Sequence, residues 1–539
     1  MRFSREHKMK KTFLSLFPAV LIIFPVIISL IWHMNNHGWP SDDAAQYMST
    51  AYQQYLAFQD GSFLDGIQAM YQVRGWRPVF FPVLATPFLL LFKGSILATT
   101  GATLVICFLV CQVYMYAIAR RYLDSFRASL TAAFVGSCPM IIYHSVIFFS
   151  EIAWLAFFTG FVFHLLESND FQKPRQAALA GILLGLAAVT RPAETLVIAV
   201  LPLTGMIIIA CLKNVFTFYS VALVTGFVIL IASLLTASAF TAQIDGTIVL
   251  ALGIIMIISQ LIIMKSPGDD EPGIAGLNWF AVSLMTINLT WWADSMPRLY
   301  AWVYHTSFGM IANVTDVFMK KEGFFSFLKN ISSTYLFPQG VVVMLLCLAL
   351  LKPDAKKNHD YMKNLAPLMM ITASLLLPML FLYKLTGTSD PRRIFIGMSF
   401  LLLLLAVLSL QNGFLRRTRD IIVTLIVLLQ LSGLFCIANN ILPPFGHPLI
   451  IKNAARVAPQ KNPDRHEAVI LRLLELGVPK NSSVAVYTIA LFQPQDRVYN
   501  PETLNLAAIT TGSHLSIIYF WDIGDYFAVI ERLKKIGVP

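Results

Sequence analysis

The stretch "PVFFPVLATPFLLLFKG", residues 78–94, decides how the chain is threaded. It is apolar, yet it is short and carries Pro78, Pro82 and Pro87. A membrane span needs about 20 apolar residues. A proline inside a helix removes a backbone hydrogen bond and crowds the preceding turn. Counted as a span, the segment would send the basic stretch "ARRYLDSFR" (119–127) to the outer side. Read as an interfacial or re-entrant helix, it leaves that stretch inside, where Lys and Arg collect. The second reading is adopted here, and every later span takes its direction from it.

The composition fixes the class. The chain has 539 residues, of which 57% are hydrophobic and 13% charged. Its mean hydropathy is +0.68. A soluble protein carries about 25% charged residues. The sequence is therefore that of a polytopic α-helical membrane protein. Its net charge of +11 reflects loop asymmetry rather than nucleic-acid binding. The six cysteines, Cys107, Cys111, Cys138, Cys211, Cys347 and Cys436, all fall in apolar runs and read as small core residues. The apolar run 13–32 is longer than the core of a signal peptide and no small-x-small cleavage site follows it, so it reads as a retained first span.

Thirteen spans are expected, near 13–32, 95–119, 127–147, 149–166, 175–191, 193–212, 215–237, 243–264, 275–293, 337–351, 365–384, 392–410 and 420–440. With the N-terminus inside, the inner loops 1–12, 120–127, 167–175, 213–214, 265–274, 352–364 and 411–419 hold about half of the 40 Lys and Arg. The short outer loops hold far fewer. This bias supports a cytoplasmic N-terminus and an extracytoplasmic C-terminus.

Two outer loops are long, 33–94 and 294–336. In the first, Tyr47, Ala51, Tyr55 and Phe58 recur at helical spacing and predict an amphipathic helix lying along the membrane surface. The tail, 441–539, differs in kind. "PDRHEAVILRLLELGVP" and "GDYFAVIERLKKIGVP" read as helices, and "SSVAVYT" and "HLSIIYF" as strands. A small α/β domain outside the membrane is expected, without a nucleotide-binding fingerprint. The domain division is thus 1–440 and 441–539.

Charges inside or at the edge of a membrane need a partner or a purpose. Here they are Glu151, Arg191, Glu194, Lys384, Arg392 and Arg393, joined in the first outer loop by Asp42, Asp43, Arg74 and Arg77. On the threading above, all of them except Lys384, which is unassigned, sit at the outer face. Arginine grips phosphate with two parallel hydrogen bonds and stays charged in a poorly hydrated site. A carboxylate can take the proton of an attacking hydroxyl. Cations can hold the charge on a departing phosphate. One base and an arginine cluster are enough to displace a lipid phosphate from a sugar.

Four stretches in order, with a looser fifth, carry a resemblance. "DAAQY" supplies Asp43 and, four residues on, Tyr47. "RPVFFPVLATPFLLLFKG" supplies Arg77 and an apolar juxtamembrane segment. "CPMIIYHSVIFFSEIAW" supplies Glu151, and "GILLGLAAVTRP" supplies Arg191. "DPRRIFIG", with Arg392 and Arg393, is a looser match. The chain resembles the GT-C membrane glycosyltransferases, in the branch of protein O-mannosyltransferases and lipid A aminoarabinose transferases. The resemblance implies a GT-C fold and a polyprenyl-phosphate sugar donor. It implies transfer to an acceptor hydroxyl (of a glycan, glycolipid or protein) at the outer face of the cell inner or plasma membrane, with inversion at the anomeric carbon. It implies Asp43, with Asp42 beside it, as the catalytic acids. Arg77, Arg191, Arg392 and Arg393 would bind the donor phosphate, and Tyr47 and Glu151 the acceptor or sugar. Family members often carry Asp-Glu where this chain has Asp43-Ala44, so the second acid is missing or displaced to Asp42.

Other readings stand beside these. Ser41 and the two Asp also suit a helix start. Glu151 could rest in headgroup water. Arg191 and Glu194 are three apart and could pair with each other. Arg77, Arg392 and Arg393 could anchor to lipid phosphates. His33, His37, His144 and His305 have no ligand spacing, so no metal site is expected and a divalent ion has no support. Nucleic acid is not expected as a partner. A lipid-linked sugar transporter or flippase, or a sugar-lipid binder without turnover, is the competing function. A transporter should show repeated halves and midplane charges, and the spans show no repeat.

Overall fold

The computed structural model describes residues 2–40, 43–71, 80–213, 273–288, 365–377, 395–411, 416–439, 441, 466–475, 479–481, 483–486, 501–513 and 516–519. Helix α1 (Arg2–Asn35) leads into three helices of the first loop, α2 (Asp43–Asp60), α3 (Phe63–Tyr71) and α4 (Phe80–Leu91). Then come α5 (Ile96–Arg120), α6 (Ser125–Gly136), α7 (Pro139–Val146), α8 (Glu151–Glu167), α9 (Pro174–Thr190) and α10 (Pro192–Leu212). Next are α11 (Ile274–Asn288), α12 (Leu365–Leu377), α13 (Phe395–Leu410) and α14 (Arg416–Ala438). The tail adds α15 (His466–Glu475), β1 (Ser483–Val486), α16 (Pro501–Thr510) and β2 (Ser516–Tyr519).

Among the described residues, Pro18–Asn35 of α1, α5 and α14 are long and apolar enough to cross a membrane. Shorter apolar helices include α9, α11, α12 and α13. The expected spans 215–237, 243–264 and 337–351 lie outside the described residues.

The deciding segment is a separate short helix. At a rise of 1.5 Å per residue, the 12 residues of α4 reach about 18 Å, too short for a hydrocarbon core of about 30 Å. Its end is set by "KG": Lys93 and Gly94 have φ of 51° and 82°. The Gly94 N–H donates to the Leu89 carbonyl at 2.8 Å, and α5 starts two residues on. Left-handed backbone of this kind is cheap for glycine and stops a helix. α4 packs on α2 and α5. Buried Thr86 donates to Gln54 Oε1 at 2.6 Å and ties α4 to α2.

The expected span 127–147 is not one helix. It breaks between α6 and α7 with a bend of 68°. Pro139 explains the break, because the residue before a proline is pushed out of the helical region. Cys138 has φ −60° and ψ 129°, and Pro139 opens α7. At the break the Ser137 hydroxyl lies 3.0 Å from the Phe134 carbonyl of its own helix and 2.7 Å from Gln430 Oε1 of α14.

Around this break the helices form a bundle. α1 packs on α5, α6 and α14, and α8 packs on α5 and α9. A Cβ at Gly181 would lie 2.3 Å from the Phe280 carbonyl oxygen, so this glycine lets α9 and α11 touch backbone to backbone. Polar ends sort to opposite poles. At one pole Arg127 grips Asp420 through Nε at 2.9 Å and Nη2 at 2.8 Å. Lys213 pairs with Asp170 at 2.5 Å, and Arg121 pairs with Glu167. These residues come from or border four of the inner loops read from the sequence. At the other pole Asn35 donates to the Ala438 carbonyl at 2.9 Å, and His33 Nε2 donates to the Ser145 carbonyl at 3.1 Å.

In the tail, β1 and β2 pair in parallel with Ser483 opposite Ser516, and α16 makes the crossover between them. The expected final helix near 524 lies outside the described residues. α16 itself was not anticipated. It packs on α15 and on α2. Ile470, Leu504, Ala507 and Ala508 are buried together with Trp39 packed against them, and Leu506 joins the core of the bundle.

Candidate functional site

The site grows from the tripeptide "TRP" at 190–192. Pro192 cannot continue α9 and suits the first position of a new helix. Arg191 is forced to a non-helical corner with φ −144° and ψ 82°. There it caps the C-terminal end of α9, whose exposed carbonyls favour a cation. The same corner places Glu194 in the first turn of α10. Arg191 Nε and Nη2 donate to Glu194 Oε1 at 3.2 and 2.5 Å.

A second carboxylate comes from α8. Glu151 opens that helix, where the aligned N–H groups favour negative charge. Its side chain is only 4% exposed. Glu151 Oε1 accepts from Arg191 Nη1 at 2.5 Å. Its Oε2 lies 3.9 Å from His144 Nδ1, an electrostatic rather than a hydrogen-bonding distance. His144 is fully buried on α7 and meets Phe395 edge-on, with 4.8 Å between ring centres. The α6–α7 break thus brings His144 to Glu151.

Trp154 forms the floor. It lies one turn beyond Glu151, and its ring centre is 5.2 Å from the Arg191 guanidinium carbon, within cation–π range. Its indole N–H donates to Thr195 Oγ1 at 2.7 Å, and Thr195 donates to the Ala187 carbonyl at 3.0 Å. The chain Trp154–Thr195–Ala187 stitches α8, α10 and α9 beneath the guanidinium.

α2 closes one side. Tyr47 lies near enough to Arg191 for phenol and guanidinium to interact electrostatically. Its ring meets Phe81 of α4 edge-on at 5.5 Å, and Phe81 packs on Phe148 just before α8. Asp43 is the first residue of α2, and residues 43 and 47 share a face by their spacing of four.

Of the residues expected from the sequence, the structure brings together Glu151, Arg191 and Tyr47, on a helix that begins with Asp43. Asp42, Arg77, Arg392 and Arg393 lie outside the described residues. The Arg191–Glu194 pair forms, across a helix corner rather than along one helix. Sequence reasoning missed three participants. Trp154 carries the same-face spacing of three from Glu151. Thr195 follows Glu194 directly. His144 had no usable signal, because its approach depends on a bend. Among the described residues no group of His, Cys, Asp and Glu could hold a metal ion.

A bundle of apolar helices with a short first-loop helix folded over an acid–arginine cluster defines a class, and the comparisons give it a name. The fold is that of the GT-C membrane glycosyltransferases. The structure is similar to the archaeal oligosaccharyltransferase AglB from Archaeoglobus fulgidus, solved with an inhibitory peptide and a dolichol-phosphate, at TM-score 0.52 and 12% identity over 94% of this chain. This chain spans 65% of the length of that protein, under two thirds. Another structure of the Archaeoglobus fulgidus oligosaccharyltransferase, with Zn and sulfate, matches at TM-score 0.47 and 12% identity, covering 92% of this chain and 62% of that one. ArnT from Cupriavidus metallidurans bound to undecaprenyl phosphate matches at TM-score 0.37 and 12% identity, covering 98% of this chain and 89% of that one. In sequence, residues 77–236 match the family described as dolichyl-phosphate-mannose-protein mannosyltransferase. The curated proteins provide no match.

Proposed function

We propose that the chain is a glycosyltransferase that moves a sugar from a polyprenyl-phosphate donor to an acceptor hydroxyl. The single observation that carries this reading is the buried Arg191–Glu151 pair, with Tyr47, on the helix that starts at Asp43, within electrostatic range of Arg191. The family match over 77–236 includes both Glu151 and Arg191. The fold neighbour AglB was captured with a dolichol-phosphate, which fits a lipid-linked donor.

In this reading Asp43 takes the proton of the acceptor hydroxyl as its oxygen attacks the anomeric carbon. The new C–O bond forms on the face opposite the breaking bond to the phosphate oxygen, so the centre inverts. The electron pair leaves with the lipid phosphate, and Arg191 holds that charge, with Arg77, Arg392 and Arg393 as further grips. Charge held by prearranged cations needs no separate acid on the leaving group. Glu151 and Tyr47 orient the sugar or acceptor, and Glu151 also fixes Arg191.

The chain would sit in the inner or plasma membrane with about thirteen spans, its N-terminus cytoplasmic and the site at the outer face. Residues 441–539 would form an extracytoplasmic α/β unit beside a transferase domain of residues 1–440. A glycan, a glycolipid or a protein hydroxyl would serve as acceptor. The test compares lipid-linked sugars and surface glycans by mass spectrometry in cells with and without the protein. Accumulation of one polyprenyl-phosphate sugar on deletion is expected; unchanged pools would rule the transferase reading out.

A further inference from the structure

We infer that Glu194 is a stand-in anion. It occupies the edge of Arg191 that the donor phosphate takes on binding, and it reclaims that edge when the lipid phosphate leaves. The inference rests on the reading of Arg191 as a phosphate grip.

The geometry of the guanidinium separates the two carboxylates. A guanidinium offers its Nε/Nη2 edge as a fork for two parallel hydrogen bonds, the grip that suits carboxylate and phosphate alike. Glu194 Oε1 takes both atoms of that fork, at 3.2 and 2.5 Å. Glu151 Oε1 takes Nη1. Their settings differ as well. The Glu151 side chain is 4% exposed, starts α8 and has His144 at its second oxygen. The Glu194 side chain is 25% exposed. A long side chain at the rim of a helix's first turn can rotate into water at small cost. Glu151 has no such escape.

Charge favours the exchange. Two carboxylates already surround the Arg191 guanidinium. A donor phosphodiester adds a further negative charge beside them, in a site where water screens poorly. Arg77, Arg392 and Arg393 would grip the phosphate too, but at Arg191 itself the added anion and Glu194 repel each other and compete for one edge. When Glu194 swings out, the count returns to its earlier value and the fork is open. The same carboxylate then competes for Arg191 after transfer, and this speeds departure of the lipid phosphate. Glu194 therefore acts on affinity and on product release. Glu151 acts on the position of Arg191.

The test uses the full chain in detergent micelles with undecaprenyl phosphate as the probe, and reads binding from the fluorescence of the protein's tryptophans. Glu194→Gln keeps an acceptor for the guanidinium but removes the charge. It should bind the probe about tenfold more tightly, the scale of one removed like charge near a ligand anion. Glu194→Ala, which empties the fork altogether, should do the same. Glu194→Asp should stay near wild type. In turnover with the donor, Glu194→Gln should lower KM and kcat together, because release slows. Equal or weaker probe binding by both Glu194→Gln and Glu194→Ala, with binding lost in Arg191→Gln, overturns the inference and leaves the phosphate reading of Arg191 standing. Wild-type binding in Arg191→Gln overturns that reading and the inference with it.

Discussion

Arg191 Nη1 and Glu151 Oε1 stand 2.5 Å apart, although 40 residues separate them in the chain. The pair joins the first residue of α8 to the cap residue after α9, closing the open end of the α8–α9 hairpin. The pair is mostly buried, and Glu151→Ala leaves Arg191 with Glu194 as its charged partner but strips the acceptor from Nη1. It should destabilise the protein by about 1–3 kcal/mol, the usual cost of an unsatisfied buried donor. Glu151→Gln should cost less. Thermal unfolding in detergent measures both.

The two acids of the first loop should behave unequally. Asp43 has the spacing of four to Tyr47 that Asp42 lacks. Asp43→Asn should lower turnover by about 10²–10⁴-fold, the range of general base catalysis. Asp42→Asn should lower it far less. Initial rates with purified variants decide this, and a wild-type rate for Asp43→Asn would remove it as the base.

Thr195→Val preserves shape but deletes the acceptor of the Trp154 indole. An unsatisfied buried donor costs about 1–3 kcal/mol. The floor beneath Arg191 should loosen, so the donor KM should rise together with the fall in unfolding temperature. Trp154→Phe, which removes the donor while leaving a ring, should retain more stability than Thr195→Val.

At the opposite pole, Arg127→Met removes the forked pair with Asp420 while keeping the buried aliphatic arm. Stability should fall by about 3–5 kcal/mol, because the Asp420 carboxylate loses its partner. The donor KM should not move, since this pole is far from the Arg191 corner. A change in KM would show that the two poles are coupled.

Gly181→Ala tests the contact between α9 and α11. The added Cβ would sit 2.3 Å from a backbone oxygen, and backbone cannot turn aside as a flexible side chain can. Overpacking of this kind costs about 1–3 kcal/mol. Reduced yield of folded protein on gel filtration is the expected outcome.

What the sequence disclosed follows from the range of the forces involved. The apolar runs, the "KG" stop at 93–94 and the "TRP" corner at 190–192 are local, so each could be read from a few residues. The helix from Asp43 and both tail strands were legible for the same reason. Pro139 was also visible, yet 127–147 read as continuous, because hydropathy does not register a bend. His144 was lost with it, since that bend is what carries the ring to Glu151. α16 was overlooked although Asn500 and Pro501 make a good helix start. Its apolar face is short, and its burial depends on Trp39 and α2, which are distant in the chain. The grip of Glu194 on the Arg191 fork was legible only as proximity.

The seat of α16 against α2 has a bearing on biogenesis. The helix that starts at Asp43 is made early, but a helix that packs on it is made about 450 residues later. At a synthesis rate of about 5–20 residues per second, α2 waits roughly 20–90 s for that contact. During this interval a nascent chain has its bundle under assembly and its first-loop helix unclamped. A chain truncated before Pro501 would carry α2 without this contact and Trp39 without the apolar side chains of α16 that pack against it.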